Sequence, residues 1–208
     1  MLDVIYAASG EKIHEFEDEE VADASVKALK QRLAQKLGLP RFRLQLLGAM
    51  GLFRDDQTLP PEVAELKVVI LSLKPPDEEQ DRDIMKACRD NDDRLLVQHL
   101  NQPRSPNFQD ASQTTPLYVA AGNGSLKCVL LLLEAGAEKD KGQVNIGATP
   151  LLLACLRGHL EVVQFLVESG ANMDQGTSDD GTTPLFMAAQ EGHLEVVRFL
   201  VESGANKD

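Results

Sequence analysis

A 24-residue segment occurs twice in this chain with few changes. It spans residues 149–172 (TPLLLACLRGHLEVVQFLVESGAN) and 183–206 (TPLFMAAQEGHLEVVRFLVESGAN), and a looser copy spans residues 115–138. The prolines near the start of the copies are 34 residues apart, at Pro116, Pro150 and Pro184. A tandem repeat of this length predicts a solenoid, in which each unit buries its apolar face against its neighbours. Solenoids present one long repeated surface, which favours binding.

Each unit carries the signals of two short helices. The proline suits the first helical position, and the later copies have a good N-cap before it, at Thr149 and Thr183. In the second copy the pattern predicts helices over residues 150–157 and 160–168. Gly170 is expected to end the second helix in a left-handed conformation, and residues 171–182 are predicted to form a β-turn finger.

The order helix, turn, helix, finger resembles the ankyrin repeat family. The resemblance rests on TPL, the Ala-rich first helix, GHLEVV and LVESGAN, and it covers residues 110–208 as three repeats at about 113–141, 147–175 and 181–208. The family usually has a His after TPL, where this chain has Tyr118, Leu152 and Phe186. The inter-repeat hydrogen bond of that His is therefore expected to be missing, with packing in its place.

A second departure lies in the first finger. Gln113 stands where the later copies have Gly147 and Gly181. A left-handed backbone at Gln113 would cost roughly 1–2 kcal/mol.

The two ends of the predicted solenoid differ. Residues 81–109 lack TPL but hold apolar side chains at helical spacings, which predicts a degenerate N-terminal capping repeat with a polar outer face: Ile84, Ala87, Cys88, Leu95, Leu96 and Leu100. The last helix, LEVVRFLVES, is patterned like the internal copy. We therefore expect either that the array continues or that this helix leaves an apolar, sticky end, formed by Val196, Val197, Leu200 and Val201. The chain is expected to be a monomer unless this repeat is uncapped.

Residues 1–74 have a different pattern. Residues 2–8 and 12–17 read as two strands joined at Ser9-Gly10. A helix follows, with an apolar stripe at Val26, Leu29, Leu33 and Leu37 and a stop at Gly38. Residues 44–47 predict a third strand, and residues 66–73 predict a buried central strand. Basic residues near the helix end read as solvated charges or as a docking patch for an acidic partner: Arg32, Lys36, Arg41 and Arg43.

This order of strands and helix resembles the ubiquitin-like β-grasp fold. VKALKQRLAQKLGLP, RLQLLG and FRDDQTL carry the resemblance. Gln45 and Ala8 stand where ubiquitin has two apolar recognition residues, and Lys74-Pro75-Pro76 replaces its diglycine end, so the resemblance does not imply a conjugatable modifier. The expected fold class is α+β, with a β-grasp domain (1–74), a linker (75–80), the capping repeat (81–109) and an all-α ankyrin solenoid (110–208).

Composition argues against several classes of function. The first residues do not resemble a signal peptide, and the apolar runs are too short for a membrane span. Three cysteines without a Cys-x-x-Cys pair indicate a reducing compartment, so we expect the cytoplasm, with the nucleus left open. Residues 77–208 hold 11 Lys/Arg against 21 Asp/Glu. That acidity disfavours nucleic acid and favours a basic protein or peptide.

Candidate catalytic residues have simpler interpretations. His159 and His193 lie in repeated GHLE turns and are expected to bond to the turn backbone, while Cys128 and Cys155 fit the apolar pattern of a core. Metal-ligand spacings, phosphate-binding loops and nucleophile motifs are absent from the sequence. We therefore predict no enzyme activity, no cofactor, no metal site and no small-molecule substrate.

The predicted function is that of an interaction scaffold or adaptor that binds a protein partner on the concave face of its ankyrin repeats. The alternative is the recognition region of a larger enzyme, such as a ubiquitin ligase, with its catalytic domain beyond residue 208. Resemblance to ankyrin proteins places the partner-binding positions on the finger tips and the ends of the first helices: Ala111, Ser112, Thr114, Gly122, Asn123, Asn145, Ile146, Ala148, Leu156, Arg157, Asp179, Asp180, Thr182, Gln190 and Glu191. Among these, Asp179, Asp180 and Glu191 are hypothesised to form an acidic subsite for a Lys/Arg-bearing peptide.

Overall fold

The computed structural model of the chain describes residues 2–6, 12–16, 25–48, 51–59, 63, 65–71, 77–102 and 105–206. The chain divides into two units, Met1–Leu73 and Lys74–Asp208. The predicted turn at Ser9-Gly10 and the Pro75-Pro76 segment lie outside the described residues.

The first unit contains a mixed sheet of five strands: β1 (Leu2–Tyr6), β2 (Lys12–Phe16), β3 (Leu44–Gly48), β4 (Gly51–Phe53) and β5 (Glu65–Ile70). Their order across the sheet is β2-β1-β5-β3-β4, with β1 parallel to β5 and the other neighbours antiparallel. The run at 66–73 therefore supplies the central strand, as predicted. It is buried on one face only, because Leu66 and Val68 are buried while Glu65 and Lys67 are exposed.

Helix α1 (Val26–Leu37) packs its apolar stripe on the sheet. It begins where the Ser25 hydroxyl accepts a hydrogen bond from the Ala28 N–H (3.3 Å), and it ends at Gly38, whose φ of 63° is left-handed. The core combines helix and strand side chains: Val4, Val26, Leu29, Leu33, Leu44, Leu46, Leu66 and Val68. Burying each such leucine stabilises the unit by roughly 1.5–3 kcal/mol.

An ion cluster lies beside this core. The two carboxylate oxygens of Asp55 lie 2.6 Å from Lys30 Nζ and 2.7 Å from Arg41 Nη1, and both basic residues are buried. The Arg41 guanidinium also lies 3.8 Å from the centre of the Phe42 ring, within cation–π range. The prediction of a solvated or docking Arg41 is therefore wrong, because the 3-10 turn at Arg41–Arg43 places this residue on an internal carboxylate.

The described part of the second unit consists of four helix pairs. They are the capping unit (α2, Glu78–Asp90; α3, Asp93–Leu100), repeat 1 (α4, Pro116–Gly122; α5, Leu126–Glu134), repeat 2 (α6, Pro150–Leu156; α7, Leu160–Glu168) and repeat 3 (α8, Pro184–Gln190; α9, Leu194–Glu202). Each helix stacks on the matching helix of the next pair. The two helices predicted at 150–157 and 160–168 are confirmed to within one residue.

Local signals explain where these helices begin and end. The threonine hydroxyl before each TPL proline accepts a hydrogen bond from a backbone N–H in the first turn, at 3.2, 3.1 and 3.3 Å for Thr115, Thr149 and Thr183. The fingers turn through left-handed residues, with φ of 58° at Gln113, 66° at Gly147 and 74° at Gly181. The expected strain at Gln113 is therefore present in this fold.

The capping unit also follows its predicted pattern. Ile84, Ala87, Cys88, Leu96 and Leu100 are buried, and Leu95 is half-buried. This pair of helices covers one end of repeat 1 through the contacts of α2 with α4 and of α3 with α5.

Candidate binding surface

Three fingers connect the helix pairs and are joined into a row. We number them finger 1 (residues 109–114), finger 2 (143–148) and finger 3 (177–182), and a backbone hydrogen bond of 2.9–3.1 Å closes each one. Between fingers, the Ser178 N–H donates to the Ile146 carbonyl (2.9 Å), and the Gln143 side-chain amide donates to the Ser112 carbonyl (3.4 Å). The row is therefore a linked surface.

Most of the predicted binding positions are accessible. The exposed ones are Ala111, Ser112, Asn145, Ile146, Asp179 and Asp180 on the fingers, and Asn123, Arg157, Gln190 and Glu191 at the ends of the first helices. Thr114, Thr182 and Leu156 are half-buried. The structure thus brings the fingertip positions together on one row, while the helix-end positions form a second group.

Two predicted positions have structural roles instead. Ala148 is only 2% exposed, because it stands at the base of finger 2, where its carbonyl accepts the closing hydrogen bond from Gln143. Its selection as a contact residue is therefore wrong. Gly122 is half-buried, and a Cβ there would lie 2.4 Å from Leu153 Cδ2, so close packing accounts for this glycine.

The sequence reasoning missed an apolar fingertip. Val144 is 59% exposed and stands in finger 2 with Ile146, which is 38% exposed. The matching residues of fingers 1 and 3 are polar, Asp110 and Ser178. The signal in the sequence was a valine within a polar turn. This valine makes the tip of finger 2 more apolar than the tips of fingers 1 and 3.

Finger 3 is acidic. The Asp180 carboxylate accepts hydrogen bonds from the Thr177 hydroxyl (2.6 Å) and the Thr182 N–H (3.0 Å). These bonds, that of Thr177 first, lower the pKa of Asp180 to about 2. Asp180 is therefore ionised at neutral pH, and the exposed Asp179 lies beside it.

The repeated histidines link neighbouring units. His159 Nε2 lies 3.1 Å from the Gly122 carbonyl of repeat 1, and His193 Nε2 lies 3.1 Å from the Leu156 carbonyl of repeat 2. A carbonyl only accepts, so Nε2 carries the proton in both bonds. The expectation that His159 and His193 bond to the backbone of their own turns is thus corrected, since both rings bond across the repeat boundary.

Glycines make room for the two rings. A Cβ on Gly124 would lie 2.7 Å from His159 Nδ1, and one on Gly158 would lie 2.5 Å from His193 Nδ1. Both glycines also have positive φ, 68° and 70°. In repeat 1 the histidine position holds Ser125, which is buried and donates to the Cys88 carbonyl of the capping unit at 3.1 Å.

A second set of hydrogen bonds repeats at the finger side of the second helices. The backbone N–H groups of Glu138, Asn172 and Asn206 donate at 2.8, 2.9 and 2.8 Å to side-chain oxygens one unit earlier, on Asn107, Asp140 and Asp174. Each boundary between repeats is thus fixed by polar contacts on two sides as well as by packing.

The cysteines are core residues. Cys88, Cys128 and Cys155 are free and buried. Burial raises the pKa of Cys128 to about 11 and that of Cys155 to about 12, and it raises that of Cys88 further. Such thiols remain protonated at neutral pH and are poor nucleophiles.

Among the described residues, no group of three His, Cys, Asp or Glu side chains is placed to hold a metal ion. Within the same part of the chain, every helix is too short or too polar to cross a membrane.

Comparison with known proteins agrees with this architecture. The model of the family "Ankyrin repeats (3 copies)" matches residues 84–177 and 139–208. A segment of 43 residues is 54% identical to the potassium channel AKT1 of Arabidopsis thaliana, covering 21% of this chain and 5% of the channel. The chain therefore matches only a small part of that relative. Ankyrin repeats generally mediate protein–protein interactions and are typically non-catalytic. On its helix pairs, its fingers and this match, the chain belongs to the ankyrin repeat family.

Proposed function

We propose that this protein is a non-enzymatic interaction scaffold, which binds a basic protein or peptide along its fingers and first-helix ends. The observation that carries the proposal is the row of hydrogen-bonded fingers with exposed, dissimilar tips. Ser112 and Asn145 are polar, Ile146 is apolar, and Asp179 and Asp180 are acidic. Such a row offers different contacts at regular intervals on a scaffold that repeats.

Charge favours a basic partner. Residues 77–208 hold an excess of ten acidic residues over basic ones. Finger 3 presents Asp179 and Asp180, and Glu191 is exposed at the end of the adjoining helix α8. The low pKa of Asp180 keeps one of these charges in place well below neutral pH. We propose that these three residues form an acidic subsite for basic side chains of the partner, with Asp179 and Asp180 on the finger row and Glu191 in the helix-end group.

Charge reversal tests the subsite. A partner is first captured with the intact chain and then measured with the triple variant Asp179→Lys, Asp180→Lys and Glu191→Lys. Because steering charges act through solvent, we expect binding to weaken at least about tenfold and its salt dependence to decrease.

A matched control changes the same number of charges on the second helices, at the exposed residues Glu161, Glu168 and Glu202. If this control weakens binding as much as the finger variant does, net charge and not the proposed subsite is responsible. If neither variant changes binding, the assignment of the fingers to this partner is wrong.

We also propose that the first unit is a ubiquitin-like β-grasp domain that recruits a second partner. The order β2-β1-β5-β3-β4, the parallel pairing of β1 with β5, and the packing of α1 on one face support this assignment. Gln45 puts a polar side chain at the position of ubiquitin's central recognition isoleucine, so the unit would use a different contact surface.

Nuclear Overhauser contacts in the intact chain test that topology. The proposal requires β1 and β5 to be parallel neighbours, with Val4 beside Leu66, and β3 and β5 to be antiparallel neighbours, with Leu44 beside Ile70. A sheet in which β1 and β5 are not adjacent would contradict it.

We also propose that the protein is cytoplasmic, as expected from its cysteines. Imaging of the tagged protein would check this localisation.

A further inference from the structure

Fingers 1 and 3 are each braced by an aspartate. The Asp110 carboxylate accepts hydrogen bonds from the Ser112 N–H (2.9 Å) and from the N–H and the hydroxyl of Thr114 (both 3.0 Å). In finger 3 the Asp180 carboxylate accepts comparable bonds from two threonines of the same finger. Side-chain acceptors of this kind satisfy the backbone N–H groups of a turn and hold its conformation.

Finger 2 has apolar side chains at both of these positions. Val144 stands where finger 1 has Asp110, and Ile146 stands where finger 3 has Asp180. Neither side chain can accept a hydrogen bond, so neither can brace the turn as the aspartates do. Val144 is 59% exposed and Ile146 is 38% exposed. Since these two residues do not brace the turn and keep apolar area in water, they are suited to contact another molecule.

The apolar tip of finger 2 lies beside the acidic tip of finger 3. The Ser178 N–H donates to the Ile146 carbonyl at 2.9 Å, and the next two residues along the chain are the exposed Asp179 and Asp180. Protein interfaces commonly combine an apolar centre with a polar rim. The two tips together therefore form one surface with an apolar part and an acidic part.

The spacing of the fingers sets the length of chain that would join these two parts. The fingers follow the stacking of the helix pairs, and packed helices lie about 8–10 Å apart. An extended chain advances by roughly 3.3 Å per residue. Neighbouring fingers are therefore about three residues apart along an extended peptide.

We propose that Val144 and Ile146 anchor an extended segment of the partner that carries a bulky apolar side chain and, about three residues away, a Lys or Arg. The apolar side chain would lie on the tip of finger 2, and the basic one would pair with Asp179 or Asp180 on finger 3. The anchor depends on the function proposed above, because it needs a basic partner on the fingers. It adds the requirement for an apolar residue at a set distance.

Charge disfavours a second copy of the chain as the occupant. Two copies that met tip to tip would bring Asp179 and Asp180 of one against the same residues of the other, so like charges would face each other. A basic segment instead neutralises the acidic tip while its apolar side chain covers Val144 and Ile146.

Selection from a random library tests the pairing. Short random peptides displayed on phage are selected on the intact chain, and the binding of the enriched peptides is measured by fluorescence anisotropy. We expect the enriched peptides to share a Leu, Ile, Phe or Met about three residues from a Lys or Arg. The double variant Val144→Ser, Ile146→Ser should weaken their binding at least about tenfold. Its salt dependence should stay the same, because salt screens ionic contacts and not apolar ones.

Two further variants separate the anchor from the fold. Val144→Asn offers the turn an acceptor at the position of Asp110 without adding charge. Its melting temperature should therefore not fall, yet its peptide binding should weaken. The matched control Leu130→Ser, Leu194→Ser removes two exposed apolar side chains from the second helices α5 and α9, and it should leave peptide binding unchanged.

The result of the selection distinguishes the anchor from the function on which it depends. Enriched peptides that are basic but share no apolar residue would overturn the anchor and leave the proposed basic partner standing. Peptides without a basic residue, or a library without enrichment, would overturn both.

Two results with the variants would also overturn the anchor. One is a serine variant that binds the selected peptides as tightly as the parent chain does. The other is light scattering from the parent chain that shows a dimer which Val144→Ser, Ile146→Ser dissociates, because the occupant would then be a second copy.

Discussion

In the sheet unit, Val4 near the start of the chain pairs with Leu66 on the last strand, whereas in the repeat unit His159 reaches a carbonyl 37 residues earlier. The sheet core therefore forms only after distant segments meet, and its parts depend on one another. In the solenoid each boundary is a separate, nearly equal contribution. A substitution in the sheet unit is thus expected to destabilise the whole unit, whereas a substitution in the solenoid should mainly weaken the boundaries of its own repeat.

The largest effect is expected in the sheet unit from Asp55→Ala. Removing this carboxylate takes away the acceptor that the buried Lys30 and Arg41 share, which should lower the free energy of unfolding by about 3–5 kcal/mol. Urea unfolding followed through the amide signals of β3 and β5 measures the loss. The exposed neighbour Asp56 gives the control, Asp56→Ala, and a similar small loss in both variants would show that the ion cluster is not important.

The stability lost on truncating a core side chain of the solenoid should depend on how well the neighbouring repeat covers that side chain. Leu151 is fully buried between repeats, so Leu151→Ala should cost about 2–5 kcal/mol through lost burial and a cavity. Its counterpart Leu185 is half-buried, and Leu185→Ala should cost clearly less. Thermal unfolding of both variants checks the order, and equal losses would contradict the view that coverage by the next repeat sets the cost.

Losing the histidine hydrogen bond at one repeat boundary should cost less free energy of unfolding than the core truncation. His159→Ala removes the hydrogen-bond donor to the half-buried Gly122 carbonyl, and we expect a loss of about 1–2 kcal/mol. His193→Ala removes the matching bond at the next boundary and should give a similar value. Two very different losses would break the comparison, because the boundaries would then not be equivalent contributions.

Relief of strain in finger 1 should stabilise the protein. Gln113 has a φ of 58°, which glycine adopts without the clash of a Cβ. Glycine also adds freedom to the unfolded chain, so the net gain from Gln113→Gly should be about 0.5–1 kcal/mol. Calorimetry would detect it as a higher melting temperature, and a decrease would mean that the Gln113 side chain makes contacts that outweigh the strain.

The smallest effect is local to finger 3. Thr177→Ala removes the strongest of the hydrogen bonds that lower the pKa of Asp180, so that pKa should rise from about 2 towards its ordinary value. Since the folded pKa is the lower one, the stabilisation by Asp180 is complete above the ordinary pKa and is lost as the pH falls towards 2. Carboxyl NMR titration measures the shift, and an unchanged pKa in the variant would contradict the assignment to Thr177.

Sequence reasoning reached the helices of the solenoid because their signals are local. Proline after threonine sets the start of the first helix in each of the three repeats, and a glycine at positive φ follows the end of that helix. It also placed α1 and the central strand of the sheet. It missed the burial of Arg41, because the carboxylate that holds this residue lies 14 positions away in a segment that looks like an exposed turn.

The binding surface was predictable in outline but not in detail. The fingertip positions follow from the repeat spacing, yet Ala148 is buried, because it stands at the base of finger 2, only two positions after the exposed Ile146. The histidine bonds were assigned to the wrong repeat because their acceptors are backbone carbonyls, which leave no trace in side-chain patterns.

The glycine beneath each histidine ring has a consequence for how such an array can be rearranged. The turn between α2 and α3 carries Asn91, which has a side chain at positive φ, and the unit that follows it has Ser125. The turns that hold Gly124 and Gly158 are followed by units with His159 and His193. A bulky ring and a Cβ beneath it exclude each other, so these residues must be exchanged together. The smallest part that can be transplanted is therefore the boundary between two repeats, with the glycine of one and the histidine of the next. A crossover within a repeat keeps this pair together, whereas a crossover at the boundary separates it.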